Sequence, residues 1–106
     1  MVLLHIISNN REQASEIADV LVEKKLVLAA VTFQEVSVKE RNPSGEIVIV
    51  DQVLMIARTK GILFNTIETC LREIFPTNRP VLYSIPIVNM NWQEANVLIT
   101  PEVKDL

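Results

Sequence analysis

The chain contains one cysteine, Cys70, one histidine, His5, and two glycines among its 106 residues. A single cysteine excludes an intramolecular disulfide and a cysteine-rich zinc site, so packing has to supply the stability. This cysteine usage suits a reducing compartment, and we expect a cytoplasmic protein. The two glycines, Gly45 and Gly61, interrupt the apolar pattern and mark boundaries between elements.

Basic charge and long apolar runs are also scarce. Ten Lys and Arg residues against thirteen Asp and Glu residues give a formal charge of −3. Such a surface offers little attraction to nucleic acid or anionic lipid, and we expect neither as a partner. The apolar start Met1–Ile7 lacks a basic leader, and no apolar run approaches the ~18 residues of a membrane span.

The length and the 49% of hydrophobic residues fit one globular domain over residues 1–106. A strand is predicted over Val2–Ile7, followed by a helix capped by Asn9 or Asn10, with Glu12 or Gln13 completing a capping box. The apolar stripe of this helix comprises Ala14, Ile17, Ala18, Leu21 and Val22.

The rest of the chain predicts a hairpin, a helix and a further strand. One strand runs from Leu26 to about Glu40, the segment Arg41–Gly45 turns the chain, and a second strand covers Glu46–Lys60. An amphipathic helix then ends at Pro76, with a stripe of Leu63, Ile67, Cys70, Leu71 and Ile74.

Another extended stretch is predicted over Val81–Val88. Its Pro86 lacks an amide donor, which places this strand at a sheet edge or a bulge. The half-apolar segment Trp92–Ile99 is compatible with a short strand, and Pro101–Leu106 is expected to fray.

The order β-α-β-β-α-β predicts an α+β, ferredoxin-like fold with both helices on one face of an antiparallel sheet. Each hairpin arm of about fifteen residues would be roughly 50 Å long, whereas a chain of this size has a radius of gyration of roughly 13 Å. The hairpin must therefore project beyond its domain. Because its tip is apolar, another subunit has to cover it, and we expect an obligate oligomer. The apolar tip residues are Val36, Val38, Ile47, Val48, Ile49 and Val50.

Three blocks of the sequence carry a resemblance to a known family. They are the helix pattern Ala14-x-x-Ile17-Ala18-x-x-Leu21-Val22-Glu23-x-x-Leu26, the hairpin spacing Gly45-x-Ile47 to Val53-Leu54 and Arg58-Thr59, and Pro76-x-x-x-Pro80 followed by Pro86-Ile87. Together they resemble the CutA family, the divalent-cation-tolerance proteins, over Val2 to about Ile87. The resemblance implies tight trimers of ferredoxin-like subunits, similar to the P-II signalling proteins, in which strands of neighbouring subunits join into larger sheets.

The chain departs from the family at the positions usually proposed as copper ligands. The family's Ala-Cys-Val-Asn block matches Leu28–Val31 here, so Ala29 stands in place of the cysteine. The family's Tyr-x-Trp-x-Gly matches Arg41-x-Pro43-x-Gly45, and its His-Pro-Tyr matches a block that begins with Phe75. We therefore expect a divergent member that keeps the trimer and has changed its site, and we assign it no metal ligands and no cofactor.

Most side chains of chemical interest favour structural roles. His5 is a lone histidine in an apolar strand, Cys70 lies on an apolar helix stripe, and Met55 fits core packing. We expect no catalytic residues, because the sequence has no phosphate-binding loop and no nucleophile with a plausible base. Three cations at element ends are the ligand-binding candidates: Arg58, Lys60 and Arg79. They are compatible with solvated charge or an intersubunit salt bridge, or with a cleft for an anion or small metabolite between subunits.

These observations favour a homotrimeric CutA-like binding or scaffold protein, weakly associated with divalent metal tolerance. One alternative is a P-II-like regulatory module that binds a small anionic ligand between subunits and signals through the hairpin tip at Arg41–Gly45. The other is an enzyme that acts on small molecules at the same intersubunit cleft.

Overall fold

The computed structural model describes residues 1–28 and 31–91. The elements follow the predicted order, which confirms the ferredoxin-like α+β fold. They are β1 (Val2–Ser8), α1 (Arg11–Glu23), β2 (Thr32–Arg41), β3 (Ile47–Thr59), a 3-10 turn (Gly61–Leu63), α2 (Phe64–Ile74) and β4 (Val81–Pro86).

The four strands form one antiparallel sheet in the order β2-β3-β1-β4. β1 is central and pairs with β3 on one side and β4 on the other, with His5 opposite both Ile56 and Tyr83. β4 pairs with β1 and lies at the sheet edge, as Pro86 predicts. It ends at that proline, two residues before the predicted end at Val88.

Helix α1 begins at the predicted cap. The Asn10 side chain accepts a hydrogen bond from the backbone N–H of Gln13 at 2.8 Å, which satisfies one of the free donors at the helix start. Gln13 Oε1 accepts in turn from the N–H of Asn9, also at 2.8 Å, so the reciprocal bond reaches one residue further back than in a capping box.

The core lies between the two helices and one face of the sheet. Alternate residues of β1 and β3 point into it, as the strand period requires. The buried apolar residues are Leu4, Ile6, Ala14, Ile17, Leu21, Leu26, Val27, Leu28, Val53, Met55, Ala57, Leu63, Ile67 and Leu71.

The predicted start of the second strand at Leu26 is wrong, because β2 begins at Thr32. Leu26, Val27 and Leu28 are buried in the core. They are tied to the end of β3, since Thr59 Oγ1 donates to the Leu26 carbonyl at 2.6 Å and the Leu28 N–H donates to the Arg58 carbonyl at 3.0 Å. This apolar run therefore packs into the core beside the end of β3. A run of consecutive apolar residues is also typical of a buried strand, which is why the sequence predicted a strand here.

The tip of the β2–β3 hairpin projects beyond the end of β1, as predicted. β1 pairs with Val53–Thr59 only, so Ile47–Gln52 and their β2 partners extend past it by roughly 20 Å. The radius of gyration is 15.0 Å and the longest extent is 48 Å. Gly45 turns the hairpin with a φ of +87°, a backbone conformation that favours glycine.

Three predictions fall on residues outside the described ranges: the strand over Trp92–Ile99, the frayed tail Pro101–Leu106 and the substitution at Ala29. Among the residues that are described, no helix is long and apolar enough to cross a bilayer.

The cap of α1 gives a stability prediction. Asn10→Ala should lower the free energy of unfolding by about 1 kcal/mol, because the Gln13 N–H loses its acceptor. Guanidinium unfolding at one fixed protein concentration measures the change. Asn10→Ser is the control, since a serine hydroxyl caps about as well. Equal losses in both variants would mean that the cap bond contributes nothing.

Candidate functional site

The sheet has a second face, which we call the open face because no described helix lies on it. It carries the side chains that alternate with those of the core. Apolar residues dominate it from β4 to the hairpin tip: Leu3, Ile7, Val36, Val38, Val48, Val50, Leu54, Ile56, Val81, Tyr83 and Ile85. The polar residues among them are His5, Gln34, Glu40, Gln52 and Arg58.

The apolar tip residues of the hairpin lie on both sides of the strand pair, in two groups. The four valines lie on the open face and are half-buried. Ile47 and Ile49 lie on the opposite side, where they are 65% and 67% exposed. On that opposite side they stand directly across from the cations Arg41 and Lys39. The continuous apolar surface therefore belongs to the valine side.

His5 and Tyr83 form a contact on the open face that sequence reasoning did not predict. His5 Nδ1 and Tyr83 Oη are 3.3 Å apart, and the ring centroids are 5.3 Å apart with a 48° tilt. Their pairing follows from the register of β1 and β4, which places residues 78 positions apart in sequence opposite each other. The side chain assigned no role is thus the polar centre of an apolar surface.

The three candidate cations do not meet within one subunit. Arg58 lies on the open face of β3 opposite Leu3, and Lys60 follows directly after that strand. Arg79 precedes β4, whose first residue Val81 is opposite Ile7, so it lies roughly 20 Å from Arg58 along the strand direction. Its Nε donates to the Pro76 carbonyl at 3.3 Å.

A polar network fixes the loop before β4. Gln13 is 4% exposed, and its Nε2 donates to the Asn78 carbonyl at 2.6 Å. Asn9 Nδ2 donates to Gln13 Oε1 at 3.1 Å and to the same Asn78 carbonyl at 3.4 Å. This network holds the loop against the start of α1, and its side chains are already satisfied.

An open cleft of about 390 Å³ lies where the start of α1 faces the base of the hairpin. Arg11 and Glu35 form an ion pair across it, and Ser37 Oγ donates to Asp51 Oδ1 at 3.2 Å. Both members of the ion pair are 68% exposed, so solvent weakens their attraction. The Arg11 and Glu35 charges therefore pair with each other, while Asp51 accepts a hydrogen bond from a hydroxyl.

The hairpin tip also satisfies its polar groups locally. Arg41 Nη1 donates to the Gly45 carbonyl at 2.7 Å, and Asn42 Oδ1 accepts from the Glu46 N–H at 2.9 Å. These bonds give the turn a fixed shape.

Metal donors are few in the described part of the chain, where no group of three or more His, Cys, Asp and Glu side chains could hold a metal ion. Two of the positions that differ from the CutA pattern, Val31 and Phe75, pack partly buried against the core. Cys70 is half-buried, and Lys24 Nζ lies 3.7 Å from its sulfur.

Comparison with known proteins gives a family match. The family model described as CutA1 divalent ion tolerance protein matches residues 2–96. None of the curated protein sequences compared with this chain matches it.

Solved structures share the fold at low sequence identity. CutA1 from Pyrococcus horikoshii gives a TM-score of 0.85 at 20% identity, covering 99% of this chain and 100% of that one. The periplasmic divalent cation tolerance protein CutA from Archaeoglobus fulgidus gives 0.80 at 23%, covering 92% and 93%. The divalent cation tolerance protein from Thermus thermophilus gives 0.79 at 24%, with coverages of 92% and 93%. At these identities the likeness establishes the fold alone.

The donor set predicts weak copper and zinc binding. Both ions favour imidazole and thiolate, and the chain has one His and one Cys, placed on different elements. Calorimetric titration at neutral pH should find no Cu²⁺ or Zn²⁺ affinity of micromolar strength or tighter. Tight binding that His5→Ala abolishes would contradict this and indicate convergence of imidazoles from three subunits, a set competent for zinc.

Proposed function

The chain belongs to the CutA1 divalent ion tolerance family, and on that premise we propose that it acts as a homotrimeric binding or scaffold protein. The observation that carries the proposal is the open face of the sheet. This face is apolar from β4 to the hairpin tip, and within the described ranges no element covers it.

A further copy of the same chain is the partner that fits this face. The valine side of the hairpin extends roughly 20 Å past β1, beyond the reach of its own helices. A subunit in isolation would leave this strand pair uncovered, which promotes aggregation. A closed ring of three subunits covers each hairpin with a neighbour and leaves no open-ended contact. The family resemblance implies the same number of subunits.

The link to divalent ions comes to this chain through family membership. The similar structures are named for CutA1 or for divalent cation tolerance, and the scaffold matches theirs. The usual soft donors are replaced by apolar or turn residues, so we propose that the scaffold role does not depend on tight metal binding.

A cytoplasmic location stays a prediction. It rests on the single cysteine, while the Archaeoglobus fulgidus protein is described as periplasmic.

The assembly is tested by charged substitutions on the hairpin. Val50→Glu and Val48→Glu should dissociate or precipitate the protein, because each places an unpaired charge on the open face. Burying such a charge in the interface costs on the order of 3 kcal/mol or more. Ser15→Glu, which adds the same charge at an exposed position of α1, is the control. Light scattering should give three times the subunit mass for the wild type and the control.

A wild-type protein that stays monomeric in dilute solution would overturn the trimer. Wild-type assembly in both valine variants would place the hairpin outside the interface.

One observation favours the alternative of an anion-binding regulatory module. Arg58 is half-buried on the open face, where it stands one diagonal position from His5. Its guanidinium is a favourable contact for a small anion bound between subunits, because hydrogen bonds between oppositely charged groups are stronger than neutral ones. The enzyme alternative has no comparable support, since in the described residues no hydroxyl or thiol nucleophile is hydrogen-bonded to the histidine beyond the Tyr83 phenol.

The anion alternative predicts a specific loss. If calorimetry against a nucleotide panel finds a ligand, Arg58→Gln should weaken its binding at least about tenfold, the loss of one charge-assisted contact. Arg72→Gln, an exposed position paired with Glu68 on α2, is the matched control. Equal effects of the two substitutions would indicate screening of net charge, and no binding by any compound in the panel would remove this alternative.

A further inference from the structure

His5 lies at the centre of the open face. It is on the central strand, between Ile56 of β3 and Tyr83 of β4, and Leu3 and Ile7 flank it along β1. Its side chain is already half-buried within a single subunit. If copies of this face pack together, the imidazole is buried among apolar side chains.

In the described part of the chain, few charged or titratable groups face His5. β3 offers Arg58 at the diagonal position, and its other nearby open-face residues are Leu54 and Ile56. β4 offers the Tyr83 hydroxyl between Val81 and Ile85. The helices pack on the opposite face of the sheet.

The carboxylate that the described strands place on the open face is Glu40. It is opposite Val48, eight residues along β3 from Ile56, or about 27 Å. Among the described residues of a subunit, a protonated imidazole therefore has a cation nearby and a hydroxyl as its acceptor, and the one open-face carboxylate of the described strands is distant.

From this surrounding we propose that assembly through the open face is coupled to protonation of His5, so that mild acid separates the subunits. The proposal rests on the proposed trimer. A neutral imidazole can share a hydrogen bond with Tyr83 and pack against apolar neighbours, whereas an imidazolium in the same place is a desolvated charge with no carboxylate beside it among the residues that the structure describes.

The direction of the effect follows from linkage. In a separated subunit the ring is only half-buried and water can solvate an added charge, whereas the assembled state would bury that charge and disfavour it. Protons therefore bind preferentially to separated subunits, and acidification shifts the equilibrium toward them. For a trimer in which three histidines must lose their protons on assembly, the general chemistry of histidine corresponds to a rise in the dissociation constant of about a hundredfold between pH 7.5 and about 5.8.

The sequence makes the assignment unambiguous. The chain has one histidine, and histidine is the side chain that ordinarily changes charge in this pH range. The α-amino group, which titrates nearby, is present in every variant and is therefore controlled for.

The test combines sedimentation and NMR on the full chain. Sedimentation velocity over a dilution series should show the hundredfold weakening between the two pH values in the wild type. His5→Gln, which is polar but does not titrate here, should assemble equally at both. His5→Lys, which carries the charge throughout, should weaken assembly already at about pH 7.5. In the assembled wild type, the NMR signal of the single imidazole should not titrate until the subunits separate.

Three results would overturn the proposal while leaving the trimer intact. One is an imidazole signal that titrates freely within an undissociated trimer. Another is a weakening of the same size in His5→Gln. The third is a dissociation constant that falls in acid, which would indicate that a neighbour's carboxylate, Glu40 being the one on this face, pairs with the ring across the interface. A wild type that is monomeric at about pH 7.5 would instead overturn the trimer itself.

Discussion

Both faces of this antiparallel sheet are mostly apolar and helices cover only one of them, so the other face must also be removed from water, and this constraint shapes the rest of the molecule. α1 and α2 contribute their apolar stripes to a single core against β1 and β3. The residues that alternate with that core are also mostly apolar, so the hydrophobic effect that drives one side of the sheet acts on the other as well. The hairpin extends this second apolar surface past the end of β1, which explains why the chain is elongated rather than compact.

The elements could be predicted from the sequence because their signals are local. Each signal comes from one residue: the α1 cap depends on the side chain of Asn10, the hairpin turn on the backbone of Gly45, and the edge position of β4 on the missing amide of Pro86. The start of β2 could not be predicted in this way. Leu26–Leu28 are as apolar as a strand, and only their contacts with Arg58 and Thr59 at the end of β3 show that they close the core instead.

The site was less accessible to prediction because it depends on register. Arg58, Lys60 and Arg79 all lie near strand ends, but the antiparallel pairing of β1 with both neighbours places Arg79 far from the other two. The same register brings His5 to Tyr83, a pairing that composition and spacing do not signal. A sequence pattern identifies which residues share a face of one strand, whereas the alignment between strands decides which of them meet.

The open face limits what any function of this protein can use. Apolar residues suffice for assembly, and a polar residue placed among them loses hydration when subunits meet. Such residues are therefore the informative ones on this surface, and near the centre of the sheet they are His5 and Arg58. Gln34 and Gln52 lie on the two hairpin strands, where their amides need partners from a neighbouring subunit or from water. Because β1 is paired on both sides, its side chains cannot leave this surface without disrupting the sheet. In the proposed trimer, a ligand or proton that acts there would therefore act on the packing between subunits, and binding and assembly would share one surface.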